Sequence, residues 1–371
     1  MAEVMMDARM IRHSGIGTYL RGLLGAYQGH SFFRKHSLGL ALSPKLFSEV
    51  NGCAQPFPFL SPIYSIQEQM EYPFRLGGCR LWHAPHYNVP LLKGRTKLVV
   101  TIHDLIHWVF RGKFYSPLQG AYANYLIRQA IRLAGRIITV SNNTANDLVK
   151  YFGVSRNKVR VVYEGVAPQF FSPPEESERK KVLVRYALPE SLFLYVGLIK
   201  PHKNVKRLVE VFKRLWREKK IKSALVVVGK KDKNYPAGYE ALRQLSTGEG
   251  IHYIPAIESE SELSALYASA TALVHPSLYE GFGLTVLEAM ASGTPVIASR
   301  VASLPEILGE SAYYIDPHSN DSLGEALELL ESDEGLRKRL AEKGKKQAGK
   351  FSWKQAAEET IRVYEEVLEE R

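Results

Sequence analysis

Short runs of aliphatic and β-branched residues alternate along this chain with longer segments of helical period. The runs predicted as strands are EVMMD, LGLAL, RLWHA, KLVVTI, GRIITV and KVRVVY in the first half, and FLYVG, ALVVVG, IHYIP, ALVHP, PVIAS and AYYID in the second. Strands that alternate with helices form parallel sheets, because the chain must cross back over the sheet, through a helix, before it begins the next parallel strand. The pattern therefore predicts an α/β fold with a doubly wound parallel sheet in each half.

Length and proline content indicate two domains. A chain of 371 residues is longer than the roughly 250 to 300 residues at which one hydrophobic core stops growing. The segment APQFFSPPEESERKK contains three prolines and interrupts regular structure midway along the chain. We therefore predict domains at residues 1–171 and 172–352. The last segment, 353–371, has apolar residues three or four positions apart and should form a helix that packs back on the first domain.

Several features predict a location in the cytoplasm. The two cysteines, Cys53 and Cys79, are too few for a disulfide framework. Glu3 and Asp7 lie where a secretory signal would be apolar. The longest apolar run, LFLYVGLI, is much shorter than the roughly 18 residues that a membrane span requires. A hydrophobic share of 45% and a charged share of 23% exclude a disordered or membrane-embedded chain.

The stretch EGFGLTVLE joins the predicted strand ALVHP to a predicted helix. Glycines at such a junction let a ligand approach the backbone, and the first helical N–H groups attract an anion such as a diphosphate. Phe282, Gly283 and Leu284 would supply these amides. Glu280 precedes the helix and Glu288 lies about one turn inside it, so their carboxylates could bind hydroxyl groups on either side of the diphosphate in a nucleotide sugar. In isolation, such a pair could equally be a helix cap and a solvated side chain.

Several motifs, in order along the chain, resemble those of one enzyme family. They are GIGTYLRGLL, TIHDLIH, VSNNTANDL, VVYEGV, LYVGLIKPHKN, HPSLYEGFGLTVLEAMASGTPVIAS and LPEIL. Together they resemble the retaining GT-B nucleotide-sugar glycosyltransferases that carry an E-x7-E motif, of the family 4 type. The resemblance implies two Rossmann-like domains that face a central cleft. It also implies that the C-terminal domain holds the donor and the N-terminal domain meets the acceptor.

The resemblance implies roles for residues of the second half. Glu288 matches the glutamate that binds the ribose hydroxyls, and Glu280 matches the one near the donor sugar. Lys203 matches the lysine that binds the diphosphate, for which a compact cation is suited. Many relatives carry an arginine where this chain has Leu198. We expect His202, the neighbour of Lys203, to replace that arginine, with Lys200 or another group as the alternative.

The resemblance also implies roles in the first half. His103 follows strand KLVVTI and matches a histidine near the donor sugar and the leaving phosphate, where burial would keep its imidazole neutral. Asp104 should cap the following turn instead. Gly15 and Gly17 form the turn that, in the family, faces the reaction centre beside the donor phosphates.

The resemblance implies that a hexosyl group moves, with retention, from a nucleoside-diphosphate sugar such as GDP-mannose or a UDP-hexose to a saccharide or lipid-linked acceptor. No covalent nucleophile is identifiable, so we expect departure and attack on one face. No cofactor or metal is expected, because no Asp-x-Asp pair or His/Cys cluster has ligand spacing. A sugar-nucleotide epimerase or a phosphorylase of the same architecture is an alternative. A nucleic-acid-binding protein is less favoured, since the net charge of +11 suggests it but no binding module accompanies the charge.

Charge is unevenly distributed between the halves. Residues 1–171 contain 20 Lys and Arg against 8 Asp and Glu, whereas residues 172–371 contain 29 against 30. Anionic lipid surfaces attract basic residues at about 1 kcal/mol each, and Arg128, Arg132 and Arg136 are candidates. We predict peripheral attachment to the inner face of the cell membrane and a role in envelope polysaccharide or glycolipid synthesis. A basic surface with no membrane role, or an anionic soluble acceptor, is the alternative, and the oligomeric state is left open.

Overall fold

The computed structural model describes residues 2–50, 54–114, 116–172, 174–230 and 250–370. These residues divide into two compact units. The first unit runs up to Gly165 and includes the C-terminal segment from Ser352, and the second comprises the described residues of Val166–Phe351. The sequence predicted divisions after residues 171 and 352. Cys53 lies outside the described residues, and Cys79 is a buried thiol.

The first unit is built on a parallel sheet with strand order β3-β2-β1-β4-β5-β6-β7. Its strands are β1 (Val4–Asp7), β2 (Leu38–Leu42), β3 (Gln55–Pro58), β4 (Leu81–Ala84), β5 (Lys97–Ile102), β6 (Arg136–Thr139) and β7 (Val159–Val161). Its helices are α1 (Ile16–Tyr27), α2 (Ser31–Lys35), α3 (Ile66–Leu76), α4 (Ile106–Val109), α5 (Pro117–Leu133) and α6 (Asn142–Phe152), followed after the second unit by α14 (Trp353–Glu369). Apart from β3, which is mostly exposed, these strands are mostly apolar and mostly buried, as expected of a sheet covered by helices on both faces.

The second unit repeats this architecture with strand order β10-β9-β8-β11-β12-β13. Its strands are β8 (Leu192–Val196), β9 (Ala224–Val228), β10 (Ile251–Ile254), β11 (Ala272–His275), β12 (Val296–Ser299) and β13 (Tyr313–Ile315). Its described helices are α7 (Glu176–Arg185), α8 (Val205–Arg217), α9 (Glu260–Ser269), α10 (Leu284–Ala291), α11 (Leu304–Leu308), α12 (Asn320–Ser332) and α13 (Glu334–Ala348). Two doubly wound parallel sheets confirm the predicted fold class.

Strand β3 is the one described strand that the sequence pattern missed. Its residues, QPFP, include Pro56 and Pro58, which cannot donate hydrogen bonds to a neighbouring strand. β3 pairs only with β2 and lies at the edge of the sheet. An edge strand tolerates proline because one side of its backbone needs no partner.

The C-terminal helix α14 packs on the first unit, against α1 and β5. The Tyr364 hydroxyl lies 2.6 Å from His83 Nδ1, and the other ring nitrogen of His83 lies 2.8 Å from Thr101 Oγ1. Near the end of the helix, Lys97 Nζ donates to the Val367 carbonyl at 2.8 Å. A lysine there also complements the negative end of the helix dipole. Packing and polar contacts together attach this segment to the first sheet.

We expect acid to destabilise the first unit through His83. This side chain is fully buried, and burial lowers its pKa to about 3, against about 6.5 in an unfolded chain. The free energy of unfolding should therefore be unaffected by His83 above pH 6.5. As the pH falls from there toward 3, it should decrease by up to about 1.4 kcal/mol per pH unit, because only the unfolded chain gains the proton. Denaturant unfolding at pH 7, 6 and 5 measures this slope.

Substitution His83→Gln keeps a hydrogen-bonding side chain but removes the titration, so the slope should become shallower. His86 has a pKa that burial also lowers to about 3, so it should retain part of the slope in this variant. His252→Gln, in the second unit, is the matched control and should leave the slope of the first unit unchanged. An unaltered slope in His83→Gln would contradict the assignment.

Candidate functional site

The loop after β11 and the start of α10 form the candidate site of the second unit. Gly283 precedes the helix with φ of +107°, a left-handed conformation that favours glycine. The Ser303 hydroxyl donates to the Glu280 carbonyl at 2.9 Å and to the Phe282 carbonyl at 3.3 Å. The loop is thereby fixed ahead of the helix, whose first N–H groups have no acceptor within the helix itself. Phe282, Gly283 and Leu284 lie at this junction, as the sequence predicted.

Glu280 is buried in a charged cluster. Lys203 Nζ donates to both of its carboxylate oxygens, at 2.7 and 2.9 Å. His275 Nε2 lies 2.7 Å from Oε1 of the same carboxylate. Only 8% of Glu280 is exposed, so its charge is stabilised by these two partners and not by solvent. The sequence indicated Lys203 and Glu280 separately, and the structure brings them together.

The cluster keeps Glu280 ionised. Burial alone raises the pKa of this carboxyl, but the charge of Lys203, followed by His275, holds its pKa well below the usual range. Because an ionised carboxylate can only accept, His275 Nε2 carries a proton and donates it. Lys203 and His275 then occupy three of the roughly four acceptor positions of the carboxylate. Among the described residues, no further donor to it is seen, so one position is available to a hydroxyl.

A short helical turn, Pro201–Lys203, carries His202 and Lys203 to the loop. Asn204 ends it in a left-handed conformation, with φ of 58°. Its side-chain amide donates to the carbonyls of Pro276, at 3.1 Å, and Pro317, at 2.9 Å. The Leu278 amide donates to the His202 carbonyl at 2.7 Å. These bonds tie the turn to the loop that carries Glu280.

His202 and Lys200 differ in burial. His202 is 4% exposed, whereas Lys200 is half-buried. His202 thus lies inside the second unit, whereas Lys200 is partly in contact with solvent. That His202 takes the place of the arginine missing at Leu198 stays a prediction.

Glu288 lies on α10 and is half-buried. The Tyr267 hydroxyl donates to Glu288 Oε2 at 3.0 Å. Tyr267 is fully buried on α9, and burial, followed by the charge of Glu288, raises its pKa well above the ordinary value. The phenol therefore stays protonated and remains a donor. It holds one oxygen of Glu288 in a fixed position.

In the first unit, His103 is paired with Glu164. His103 Nδ1 lies 3.0 Å from Glu164 Oε1, and Nε2 lies 3.0 Å from the Pro85 carbonyl. A carbonyl can only accept, so Nε2 carries a proton and donates it to Pro85. Both ring nitrogens of His103 are therefore engaged within the first unit. The Asp104 carboxylate accepts from the Ile106 amide at 2.9 Å, which confirms the predicted cap.

The two glycines of the first unit have different structural reasons. Gly15 precedes α1 with φ of +74°, a conformation that disfavours a side chain. A Cβ on Gly17 would lie 2.4 Å from the Ile11 carbonyl oxygen. The Gly17 amide donates to the His13 carbonyl at 2.8 Å. Gly17 is thus required by packing, and its amide is already bonded within the unit.

Two other features are absent from the part of the chain that the structure describes. Among residues 2–50, 54–114, 116–172, 174–230 and 250–370, no group of three or more His, Cys, Asp or Glu is placed to hold a metal ion. None of the helices in that same part of the chain is both long enough and apolar enough to cross a membrane.

Two family models match consecutive parts of the chain. Glycosyltransferase Family 4 matches residues 55–170, and Glycosyl transferases group 1 matches residues 178–347. Both matched regions are glycosyltransferase domains. The chain is a glycosyltransferase, and the second match includes both glutamates of the E-x7-E motif and Lys203.

Curated and solved relatives of this glycosyltransferase agree with the family. The chain is 29% identical over 287 residues to the O-antigen chain mannosyltransferase B of Escherichia coli, covering 76% of this chain and 74% of that one. It is 35% identical over 246 residues to the MMP alpha-(1->4)-mannosyltransferase of Mycolicibacterium hassiacum, covering 65% and 56%. The structure of Anabaena Alr3699/HepE in complex with UDP and glucose superposes with a TM-score of 0.79 at 15% identity, covering 98% and 100%. That likeness shows the GT-B fold.

Proposed function

We propose that this glycosyltransferase binds a nucleoside-diphosphate sugar in its second unit and transfers the hexosyl group with retention of configuration. The observation that carries the proposal is the buried cluster of Lys203, Glu280 and His275 at the start of α10. A cation and a helix N-terminus attract a diphosphate, and a carboxylate with one open acceptor position suits a sugar hydroxyl.

Catalysis would come from stabilising the leaving diphosphate. Lys203 and the first amides of α10 are held in place before the reaction, so negative charge that develops on the leaving group meets preorganised donors. His202 would add a further donor to the phosphates. This chemistry requires no metal or other cofactor. Since no side chain is identified as a nucleophile, we propose departure and attack on the same face without a covalent adduct.

Glu280 and Glu288 would hold the two ends of the donor. Glu280 would accept a hydrogen bond from a hydroxyl of the transferred sugar, and Glu288 from the ribose. In the first unit, His103 would bind the donor sugar or the leaving phosphate once its bond to the Pro85 carbonyl is exchanged. Gly15 would line the reaction centre through its backbone.

Relatives support a substrate class. One is named for mannosyl transfer to an O-antigen chain, and a structural neighbour was solved with UDP and glucose. We propose GDP-mannose or a UDP-hexose as donor, and a saccharide or lipid-linked acceptor of envelope polysaccharide or glycolipid synthesis. Such acceptors are presented at the inner face of the cell membrane, which is the location we propose.

A panel of nucleotides with a labelled-sugar assay tests this function. A ligand that binds only the folded chain raises its melting temperature, so UDP, GDP, ADP and their sugars can be ranked directly. The labelled donor should yield a larger saccharide and free nucleoside diphosphate. Isomerised donor would indicate an epimerase, and a sugar phosphate a phosphorylase. A chain that responds to no nucleotide and transfers no sugar would contradict the proposal.

Tyr267→Phe should raise the donor KM by about tenfold, since a hydrogen bond to a charged group contributes roughly 1.5 to 3 kcal/mol and Tyr267 acts only through Glu288. Tyr253→Phe is the matched control, because its hydroxyl donates to the Gly229 carbonyl in the same unit. Steady-state kinetics at varied donor concentration measures both variants. An equal KM in both would show that Tyr267 has no positioning role.

A further inference from the structure

Helix α3 of the first unit exposes a stripe of large apolar residues. Ile66, Met70 and Phe74 are spaced four apart and are 83%, 69% and 80% exposed. On the opposite face, Glu68, Tyr72 and Leu76 are buried, and Tyr72 and Leu76 belong to the hydrophobic core. A surface helix ordinarily turns its apolar residues toward the core. α3 therefore has a second apolar stripe, which faces solvent.

A buried arginine helps to fix this orientation. Arg9, which follows β1, donates to Glu68 Oε2 at 2.9 Å and to the Tyr72 hydroxyl at 2.8 Å. Asn88 Nδ2, which follows β4, donates to the Glu68 carboxylate at 3.0 Å. Breaking a buried ion pair is strongly destabilising, because it leaves an uncompensated charge in the interior. These bonds fix the rotation of α3 and keep its apolar stripe facing outward.

Two exposed leucines extend this stripe on either side. Leu60 is 70% exposed, and its amide donates to the Glu71 carboxylate of α3 at 3.1 Å. Leu92 is 71% exposed, and the preceding amide, of Leu91, donates to Gln69 Oε1 at 3.0 Å. We call the combined surface the α3 apolar patch; it consists of Leu60, Ile66, Met70, Phe74 and Leu92. Contiguous exposed apolar surface of this kind marks an interaction site.

Basic residues border the patch at the carboxyl end of α3. A surface groove there is lined by Pro73, Leu76 and Leu92 together with Lys93, Arg95 and Arg80, of which Arg80 pairs with Glu3. The acidic groups of residues 54–97 are Glu68 and Glu71, and both are neutralised: Glu68 by Arg9, and Glu71 by Arg75 at 2.9 Å. The surface is thus apolar with a cationic border, which complements the acyl chains and phosphates of an anionic bilayer.

The basic residues first indicated by the sequence are placed differently. Arg136 is the first residue of β6 and pairs with Glu366 of α14 at 3.1 Å. Arg128 lies over the Phe152 ring, 5.4 Å from its centre, and its Nε donates to Asn124. Arg136 is therefore committed to the fold of the first unit, and the cations beside α3 are better placed for a lipid surface.

We propose that the α3 apolar patch and its basic border bind the surface of an anionic phospholipid bilayer. This inference rests on the proposed function only for the reason to be at a membrane, where a lipid-linked acceptor would be presented. Ile66 lies at the amino end of α3, and Glu68 in the same turn contacts Arg9 and Asn88 beyond the carboxyl ends of β1 and β4. The bilayer surface would therefore lie next to the edge of the sheet at which ligands of such folds bind.

Vesicle co-sedimentation of the full chain tests this proposal without any nucleotide sugar. The chain should bind vesicles of phosphatidylcholine with phosphatidylglycerol far better than phosphatidylcholine alone, and binding should weaken as salt shortens the screening length. The triple substitution Ile66→Ser, Met70→Ser and Phe74→Ser should lower the partition coefficient on the order of 100-fold. The pair Lys93→Gln and Arg95→Gln should lower it by about tenfold or more.

Matched controls come from the second unit. Val184 is 80% exposed on α7, so Val184→Ser tests the loss of an exposed apolar side chain elsewhere. Lys180→Gln with Lys181→Gln removes two exposed cations. Both should bind vesicles like the unmodified chain. Absence of binding to anionic vesicles, or equal binding by the triple variant, would overturn the proposal.

Two further measurements separate the outcomes. Analytical ultracentrifugation measures whether the chain forms a dimer. A dimer that the triple variant abolishes and the control variants retain would assign the patch to a second copy of this chain and overturn the lipid proposal. Nucleotide binding by thermal shift, without vesicles, tests the proposed function independently. Nucleotide binding without vesicle binding would overturn only the lipid proposal. Vesicle binding without nucleotide binding would overturn only the proposed donor site.

Discussion

Lys203→Ala should lower kcat/KM for sugar transfer by about 100-fold or more, because it removes a preorganised charge at the leaving group. Lys200→Ala should change kcat/KM only a few-fold, since Lys200 does not match the phosphate-binding lysine of the family. Lys200 is half-buried in the same segment, so this variant is a matched control. The two substituted lysines lie three positions apart, and each variant loses one positive charge. Equal activities would show that the diphosphate is not bound by Lys203.

Stability complicates the simple substitution and provides a sharper one. Lys203→Ala leaves the buried Glu280 carboxylate without its main cation, and breaking a buried pair costs roughly 3 to 5 kcal/mol. The double variant Lys203→Met with Glu280→Gln removes both charges and should recover most of that stability. Its activity should stay low. Recovery of stability without recovery of activity, measured by denaturation and by single-turnover transfer, separates the role in catalysis from the role in folding.

Acid gives the same cluster an independent signature. Because Lys203 and His275 hold the pKa of Glu280 well below its usual value, the stabilisation is present above the unfolded pKa of about 4.3 and is lost as the pH falls through the folded pKa. His83 weakens the first unit over a higher range, from pH 6.5 downward, where its folded pKa of about 3 leaves it neutral. The two units should therefore respond to acid in different pH windows.

The strands could be predicted because their signal is local. Buried parallel strands consist of consecutive apolar residues, so ALVVV and LFLYV identify themselves without tertiary information. Strand β3 fails this test, because QPFP contains two prolines and is acceptable only at a sheet edge. Edge position is a property of the sheet as a whole, and no local pattern reports it.

The partners within the site were less predictable than its members. Lys203 and Glu280 are separated by 77 positions, and no spacing rule shows that they pair. His275 carried a usable signal, since it ends a strand five positions before Glu280, where polar residues of parallel strands gather. Tyr267 carried none, because a tyrosine on a neighbouring helix resembles any core aromatic residue. Glu164 lay within VVYEGV, but only the fold brings it to His103.

The orientation of α3 shows a limit of periodicity. Ile66, Met70 and Phe74 form one apolar stripe, and Tyr72 and Leu76 belong to another, so periodicity alone allows either face to be buried. The second face also contains Glu68, which a pattern assigns to solvent. Arg9, about 60 positions earlier in the chain, contributes to the choice because its charge is buried and must be compensated. Core packing of Tyr72 and Leu76 and compensation of one buried cation together determine which face of the helix meets solvent.

Glu288→Ala should lower kcat/KM for the donor by roughly 10 to 150-fold and leave the fold intact, because a hydrogen bond from a ribose hydroxyl to a carboxylate contributes roughly 1.5 to 3 kcal/mol. Glu288 is half-buried, and its Oε2 already accepts from Tyr267, so the substitution removes an oriented acceptor from the surface of α10. The matched control is Glu310→Ala, whose side chain is 94% exposed. Its kinetics should equal those of the unmodified chain.

A donor that lacks the 2′-hydroxyl or the 3′-hydroxyl of its ribose completes the test. If Glu288 binds that hydroxyl, the substitution and the deoxy donor remove the same interaction, and their combined effect should be no larger than that of either alone. If Glu288 acts elsewhere, the two effects should multiply. Initial rates at donor concentrations well below KM give the four values of the cycle. Multiplicative losses with both deoxy donors would show that Glu288 does not bind the ribose. Its role would then be structural, in α10, with Tyr267 as its partner.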